Sequence, residues 1–235
     1  MALLYVDQIM VRFGGVMAVS GATLLAKAGQ VTGLIGPNGA GKTTLFNVIN
    51  GIQDPTAGSV SIDGENVTHL APHKRAQRGV ARTFQRLELF SSLTVRDNIR
   101  VAAELAMLTN VSSTVEKLIV RVGLTDVADR TAGDLPTGSA RLVEIARALA
   151  TKPKLLLLDE PASGLSDIES EHLGSLLRSL ADEGLGVLLV EHDMDLVMRV
   201  CDHIFVLDLG EIIADGPPAE VRQNPRVLEA YLGAS

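Results

Sequence analysis

The eight residues GPNGAGKT, Gly36 to Thr43, constrain this chain more than any other stretch, because they dictate what must stand on either side of them. Glycines at 36, 39 and 41 let the main chain turn its N–H groups inward around an anion. Such a loop works only where a strand ends and a helix begins, so that the positive end of the helix dipole faces the same charge. Both neighbours have that character. QVTGLI, Gln30 to Ile35, is a short apolar run of buried-strand type, and TTLFNVIN, Thr43 to Asn50, carries helical spacing. The stretch is read as a phosphate cradle formed by Gly36, Pro37, Asn38, Gly39, Ala40, Gly41, Lys42, Thr43 and Thr44. Lys42 is placed to reach β- and γ-phosphates, the Thr43 hydroxyl to ligand Mg²⁺, and Thr44 to lie near the α-phosphate. The alternative, an ordinary glycine-rich turn, has to explain eight matching residues in the right context.

The remainder of the chain supplies a frame for that loop. With 235 residues there is enough sequence for one large α/β domain, and 46% hydrophobic content excludes a disordered chain. Up to about Asp63 the pattern is β-rich, with LLYVDQIMVRF, ATLLAKAG and SVSIDG closed by glycine-containing turns. Between about 87 and 135 it becomes helical, VRDNIRVAAELAML and STVEKLIVRVGL carrying apolar residues at spacings of three and four, which predicts a helical subdomain inserted in the nucleotide-binding core. Helix and strand then alternate through RLVEIARALA, LLLLDE, a helix around Ser170 to Glu183, GVLLVEHD, DLVMRVC and HIFVLDLG. Short, wholly apolar strands separated by helices are what a parallel sheet covered on both faces requires. The predicted fold is α/β: one domain over 1–235, with a mostly parallel sheet, an N-terminal antiparallel β-subdomain and the helical insert.

Charge and cysteine content narrow the partners. The formal net charge of −7 offers no global field for nucleic acid, and the basic run His73 to Arg78 is read as one solvated helix face. Cys201, the only cysteine, rules out an intrachain disulfide and a cysteine-cluster metal site. No basic leader opens the chain and no window approaches 18 uninterrupted apolar residues, so it is expected neither to span a membrane nor to be exported by itself.

LLLLDE places two adjacent carboxylates at the end of a buried strand, the edge where open α/β sheets hold their ligands. Asp159 is expected to hold Mg²⁺ through its water shell, and Glu160 to polarise a water for in-line attack on a γ-phosphate; a solvated turn or helix cap is the alternative. His192 closes the next apolar strand and lands on the same edge, where its imidazole N–H can donate to the γ-phosphate, although a lone histidine is often structural. Gln85, in ARTFQRL just before the helical insert, is a candidate to touch metal or attacking water.

In their order, GPNGAGKT, ARTFQ, LPTGSARLVEIARALA, LLLLDEP, SGLSD and VEHDM resemble the ATP-binding-cassette ATPases over nearly the whole chain. The resemblance implies ATP and Mg²⁺ as the bound species. It also implies a head-to-tail pair with two nucleotides between the chains, each touched by the phosphate loop of one and the signature loop of the other. Phe13, in VRFGG, then takes the place of the aromatic that stacks on adenine, a core phenylalanine being the alternative. Gln85 and the helical insert become the contact with a membrane partner. HKRAQRGVARTFQRLELFSSLTVRDNI and IADGPPAEVRQNPRVLEAYLG are similar, within that superfamily, to one ATPase subunit of importers for branched-chain amino acids, urea and amides.

The signature loop departs from the family. Where relatives have Leu-Ser-Gly-Gly-Gln or Leu-Ser-Tyr-Gly-Gln, this chain has Leu135-Pro136-Thr137-Gly138-Ser139. Pro136 brings neither hydroxyl nor N–H, which leaves Gly138 N–H and the hydroxyls of Thr137 and Ser139 to meet the opposing nucleotide. Ser166 also stands where many relatives have Asp, with Asp167 directly after it. The resemblance implies an energy-coupling ATPase on the cytoplasmic face of a membrane, docked on integral permease subunits and paired with a second cassette, with no nucleic acid and no metal other than Mg²⁺. An exporter ATPase and a soluble non-transport ATPase of the same superfamily are the alternatives.

Overall fold

The computed structural model describes residues 2–83 and 87–232. The chain opens with strands β1 (Ala2–Phe13), β2 (Val16–Lys27) and β3 (Val31–Ile35), then helix α1 (Lys42–Asn50) and the strands β4 (Ala57–Ile62) and β5 (Glu65–Asn66). Helix α2 (Pro72–Ala76) and strand β6 (Val80–Arg82) precede three helices, α3 (Val95–Leu105), α4 (Val111–Arg121) and α5 (Thr137–Ala150). Strand and helix alternate from there as β7 (Leu155–Asp159), α6 (Asp167–Asp182), β8 (Gly186–Val190), α7 (Met194–Val200) and β9 (His203–Asp208). Strand β10 (Glu211–Gly216) and helices α8 (Pro218–Gln223) and α9 (Pro225–Leu232) follow.

Two sheets result. An antiparallel one runs β2-β1-β4-β5, and a six-stranded one runs β10-β9-β3-β8-β7-β6. In the larger sheet all neighbours are parallel except the edge pair β9 and β10. Its central strands are buried on both faces, and the two-residue alternation of a strand divides their side chains between two cores. Ile35, Leu156, Leu158, Val187 and Leu189 pack toward α5, α6 and α7, whereas Leu34, Leu155, Leu157, Leu188 and Val190 pack toward α1 and the antiparallel sheet. Wholly apolar strands are thus what this position demands. Helices α3 and α4 pack on α5, which joins the helical segment to the core.

The basic run from His73 to Arg78 is solvated at His73 and Lys74, as expected, but not at Arg75. Arg75 is 1% exposed, and its guanidinium donates to the carbonyls of Val48 and Ile49 at the end of α1 and of Thr68 and Leu70 in the following loop. The last carbonyls of a helix have no internal donors, and a buried cation there satisfies them while complementing the negative end of the dipole. Burial pushes the Arg75 guanidinium down to about 10, partly offset by Asp54. Cys201 is likewise buried, and its thiol is pushed up to about 12, by desolvation first and by Asp202 second. Among the described residues no helix is long and apolar enough to cross a membrane.

Candidate nucleotide site

Three loops leave the carboxyl edge of the large sheet at one level. Leu34 of β3 is the register partner of Val190 in β8, and Val190 is the register partner of Asp159 in β7. The loop beginning at Gly36, the residues from Glu160 and the residues from Glu191 therefore emerge side by side, at the carboxyl edge where open α/β sheets hold their ligands.

The first loop is shaped by close approaches that only glycine permits. Gly36 has φ +152°, and a Cβ there would lie 1.9 Å from the carbonyl oxygen of Leu207. Gly41, the left-handed N-cap of α1 at φ +105°, would bring a Cβ 2.4 Å from the Ala18 carbonyl oxygen. No side chain caps α1, so the N–H groups of Lys42, Thr43 and Thr44 in its first turn lack intrahelical acceptors and remain for an anion. Lys42 is 9% exposed and bends back over the loop, its Nζ donating to Gly36 O at 2.6 Å and Pro37 O at 3.0 Å. Burial lowers the ammonium's pKa, against the pull of Glu160 and Asp159. Thr43, Asn38 and Gly39 are exposed on the open side, and Thr44 and Pro37 are half-buried.

Opposite this cradle lies a pair of carboxylates with different surroundings. Asp159 is 5% exposed; its pKa is raised by burial first and by Glu160 second, while Arg82 and Arg141 act the other way. A buried acid raised by a neighbouring acid is a donor set that a divalent cation relieves, and so the residues present fit Mg²⁺. Among the described residues no group of three or more His, Cys, Asp and Glu is arranged to hold a metal, so any cation here would complete its shell with phosphate oxygens and water. Glu160 adopts a left-handed backbone at φ 48°, which costs a non-glycine residue on the order of 1–3 kcal/mol and persists only where neighbours enforce it. Its N–H donates to Val190 O at 2.9 Å, and its carbonyl accepts the Ser163 N–H at 3.1 Å. The His192 ring is 62% exposed, with Nδ1 3.9 Å from Glu160 Oε1. A partly exposed carboxylate and an exposed imidazole thus stand side by side.

Glu191, which sequence reasoning passed over, lies against the same imidazole, its Oε2 3.8 Å from His192 Nδ1. It is 1% exposed and accepts the N–H groups of Ala162, His192 and Asp193. A signal for it existed: an acid directly after five buried apolar residues needs partners to be there at all.

The residues expected at a second nucleotide lie elsewhere. Thr137, Gly138 and Ser139 are the first turn of α5 rather than a separate loop, because Pro136 serves as N-cap with φ −57° and ψ 153° and the helix begins directly after it. Thr137 is exposed, Ser139 half-buried and Gly138 buried. A Cβ on Gly138 would fall 2.0 Å from Oε1 of Glu169, whose Oε2 accepts the N–H and hydroxyl of Ser166 in the capping box of α6. Phe13 ends β1 at the hairpin to β2 and is 49% exposed, so it is not a core residue. Gln85 lies outside the described residues. The segment just beyond it is held at both ends of its main chain. Glu88 N–H donates to Glu144 of α5 at 2.8 Å and its carbonyl accepts from Arg147, while Asn98 of α3 bonds both the N–H and the carbonyl of Phe90.

Comparison with known proteins agrees with this geometry. Residues 19–163 match the family described as ABC transporter, and residues 211–235 match the branched-chain amino acid ATP-binding cassette transporter family. The chain is 43% identical to the high-affinity branched-chain amino acid transport ATP-binding protein BraF of Pseudomonas aeruginosa, over 98% of both chains. It is 35% identical to the lipopolysaccharide export system ATP-binding protein LptB of Haemophilus influenzae, over 99% of this chain and 98% of that one. Among solved structures, the ADP conformation of MJ1267, an ATP-binding cassette of an ABC transporter, superposes with a TM-score of 0.90 at 32% identity over 99% of each chain.

Proposed function

The chain belongs to the ABC transporter family of ATP-binding, ATP-hydrolysing cassettes, and we propose that it is the energy-coupling subunit of an importer for branched-chain amino acids or related small polar solutes. The observation that carries the cargo class is the match of its C-terminal segment, 211–235, to a family described by that cargo. Likeness to BraF over the full length supports it. Its permease partners are integral membrane proteins, and its place is peripheral, on the cytoplasmic face.

In this reading the Gly36–Thr44 loop and the N-terminus of α1 bind the phosphates of ATP, Lys42 leaves its loop carbonyls for the β- and γ-phosphates, and Phe13 stacks on the adenine. Thr43 and Asp159 would hold Mg²⁺. When bound, that ion supplies charge neutralisation on the phosphate oxygens. Glu160 accepts the proton of the attacking water, and His192 donates a hydrogen bond to a γ-phosphate oxygen. Thr137, Gly138 and Ser139 reach the nucleotide of a second cassette, and Gln85 lies between site and permease. A lipid-export ATPase is the second reading, favoured by the likeness to LptB.

Purification of the tagged chain from detergent-solubilised membranes, followed by identification of the co-purifying permeases and ATP-driven uptake in proteoliposomes, tests the assignment. Leucine uptake dependent on this chain is the expected result. Co-purification with an export permease and absence of amino acid uptake would overturn import.

A further inference from the structure

Glu191 ends a strand whose five residues are all buried, and packing alone gives no reason for an acid there. Its carboxylate accepts hydrogen bonds from the main chain of two different segments, and its Oε2 also lies 3.8 Å from the His192 ring Nδ1. Oε1 accepts Ala162 N–H at 2.7 Å, two residues beyond Glu160; Oε2 accepts His192 N–H at 2.9 Å and Asp193 N–H at 3.2 Å. The turn at Glu160 is thus fixed on one side by Val190 O, which accepts the Glu160 N–H at 2.9 Å, and on the other by Glu191. A parallel tie runs through Asp193, whose Oδ1 caps α7 at Leu196 N–H while its Oδ2 accepts the Ser170 hydroxyl of α6.

We propose that Glu191 is a positioning residue for ATP hydrolysis, its buried carboxylate setting the mutual placement of Glu160 and His192 by holding both segments to one rigid group. It rests on the reading of Glu160 as general base. Glu191 holds the Glu160 segment through main chain and stands against the His192 ring itself, its Oε2 3.8 Å from Nδ1. A fixed bidentate acceptor suits this role, because charge-assisted bonds to N–H groups are short and strong and each oxygen is committed to one segment. The left-handed Glu160 is a conformation its neighbours must enforce, and placement errors near an ångström are costly in rate.

Glu191→Gln tests this in the 235-residue chain, because the amide keeps the volume of the carboxylate but turns one acceptor into a donor facing an N–H group. ATP turnover, KM, affinity for a fluorescent ATP analogue and melting temperature are measured together. The expected result is a fall in kcat of at least about tenfold, with KM and analogue affinity within about threefold of the parent and the melting transition retained. Unchanged kcat would overturn the proposal. So would kcat, affinity and melting temperature falling together, since that pattern belongs to a residue needed only for folding. Turnover by the parent chain, measured alongside, tests ATP hydrolysis on its own, and the ratio of the two rates tests Glu191.

Discussion

At the scale of single residues, the two acids at the end of β7 are set apart by their surroundings. Asp159 is buried beside two arginines, whereas Glu160 is partly exposed with the His192 imidazole 3.9 Å away. Only the second has both access to water and an exposed imidazole beside it, as the proposed role of general base requires. Glu160→Gln is therefore expected to bind ATP with parental affinity and to hydrolyse it about 10²–10⁴ times more slowly, as loss of a general base does; phosphate release and analogue binding check the two halves. Lys42→Ala should fail earlier, at binding, because the ammonium is the buried cation of the phosphate loop. An ATP affinity reduced by less than about tenfold would assign the cradle's strength to its N–H groups alone. Both positions were legible in the sequence, Lys42 because it lies within a motif of fixed geometry and Glu160 because it directly follows an apolar run that must be a buried strand. Glu191 was less so, since one of its donors, the Ala162 N–H, comes from a loop 29 positions away that no local pattern announces.

At the scale of elements, the phosphate helix α1 is held at its far end by a side chain from α2. Arg75 places one guanidinium against four carbonyls, two of them the last of α1. Arg75→Ala leaves buried carbonyls without donors and should cost about 3 kcal/mol, a drop in melting temperature of roughly 6–12 °C for a chain of this size, read by calorimetry. A change within experimental error would mean that water replaces the guanidinium. This clamp was hidden in the sequence because α2 is only five residues long, too short for periodicity to show which side faces inward. The short apolar strands gave themselves away for the opposite reason: buried on both faces, they admit almost nothing polar. Strand β10 was missed because its mixed pattern is that of an edge, and its pairing to β9 is decided by the hairpin at Leu209 and Gly210.

At the scale of the whole molecule, the first turn of α5 carries N–H groups and hydroxyls suited to a phosphate, and in the proposed function these meet a different nucleotide from the one in the phosphate loop of the same chain. Pairing of cassettes follows from the proposed function, and Glu160→Gln, which retains ATP, is expected to shift from monomer to dimer in light scattering when ATP and Mg²⁺ are added, alone or with a partner cassette. A mass that stays monomeric with ATP and every co-purifying cassette present would overturn it. The α/β architecture was readable from alternation alone, but the role of Pro136 as helix N-cap was not, because a signature-like stretch reads as a loop until its dihedrals are known. The contact of Gly138 with Glu169 has a consequence for stoichiometry. A side chain at position 138 presses first on Glu169 of its own chain, and through it on the Ser166 cap that follows the Glu160 segment, before it meets any nucleotide of the other chain. One altered chain then spoils both sites of a pair. When Gly138→Asp and parent chains are mixed at fixed total concentration, ATPase activity should fall with the square of the parent fraction, whereas a lesion confined to one site would make it fall in simple proportion.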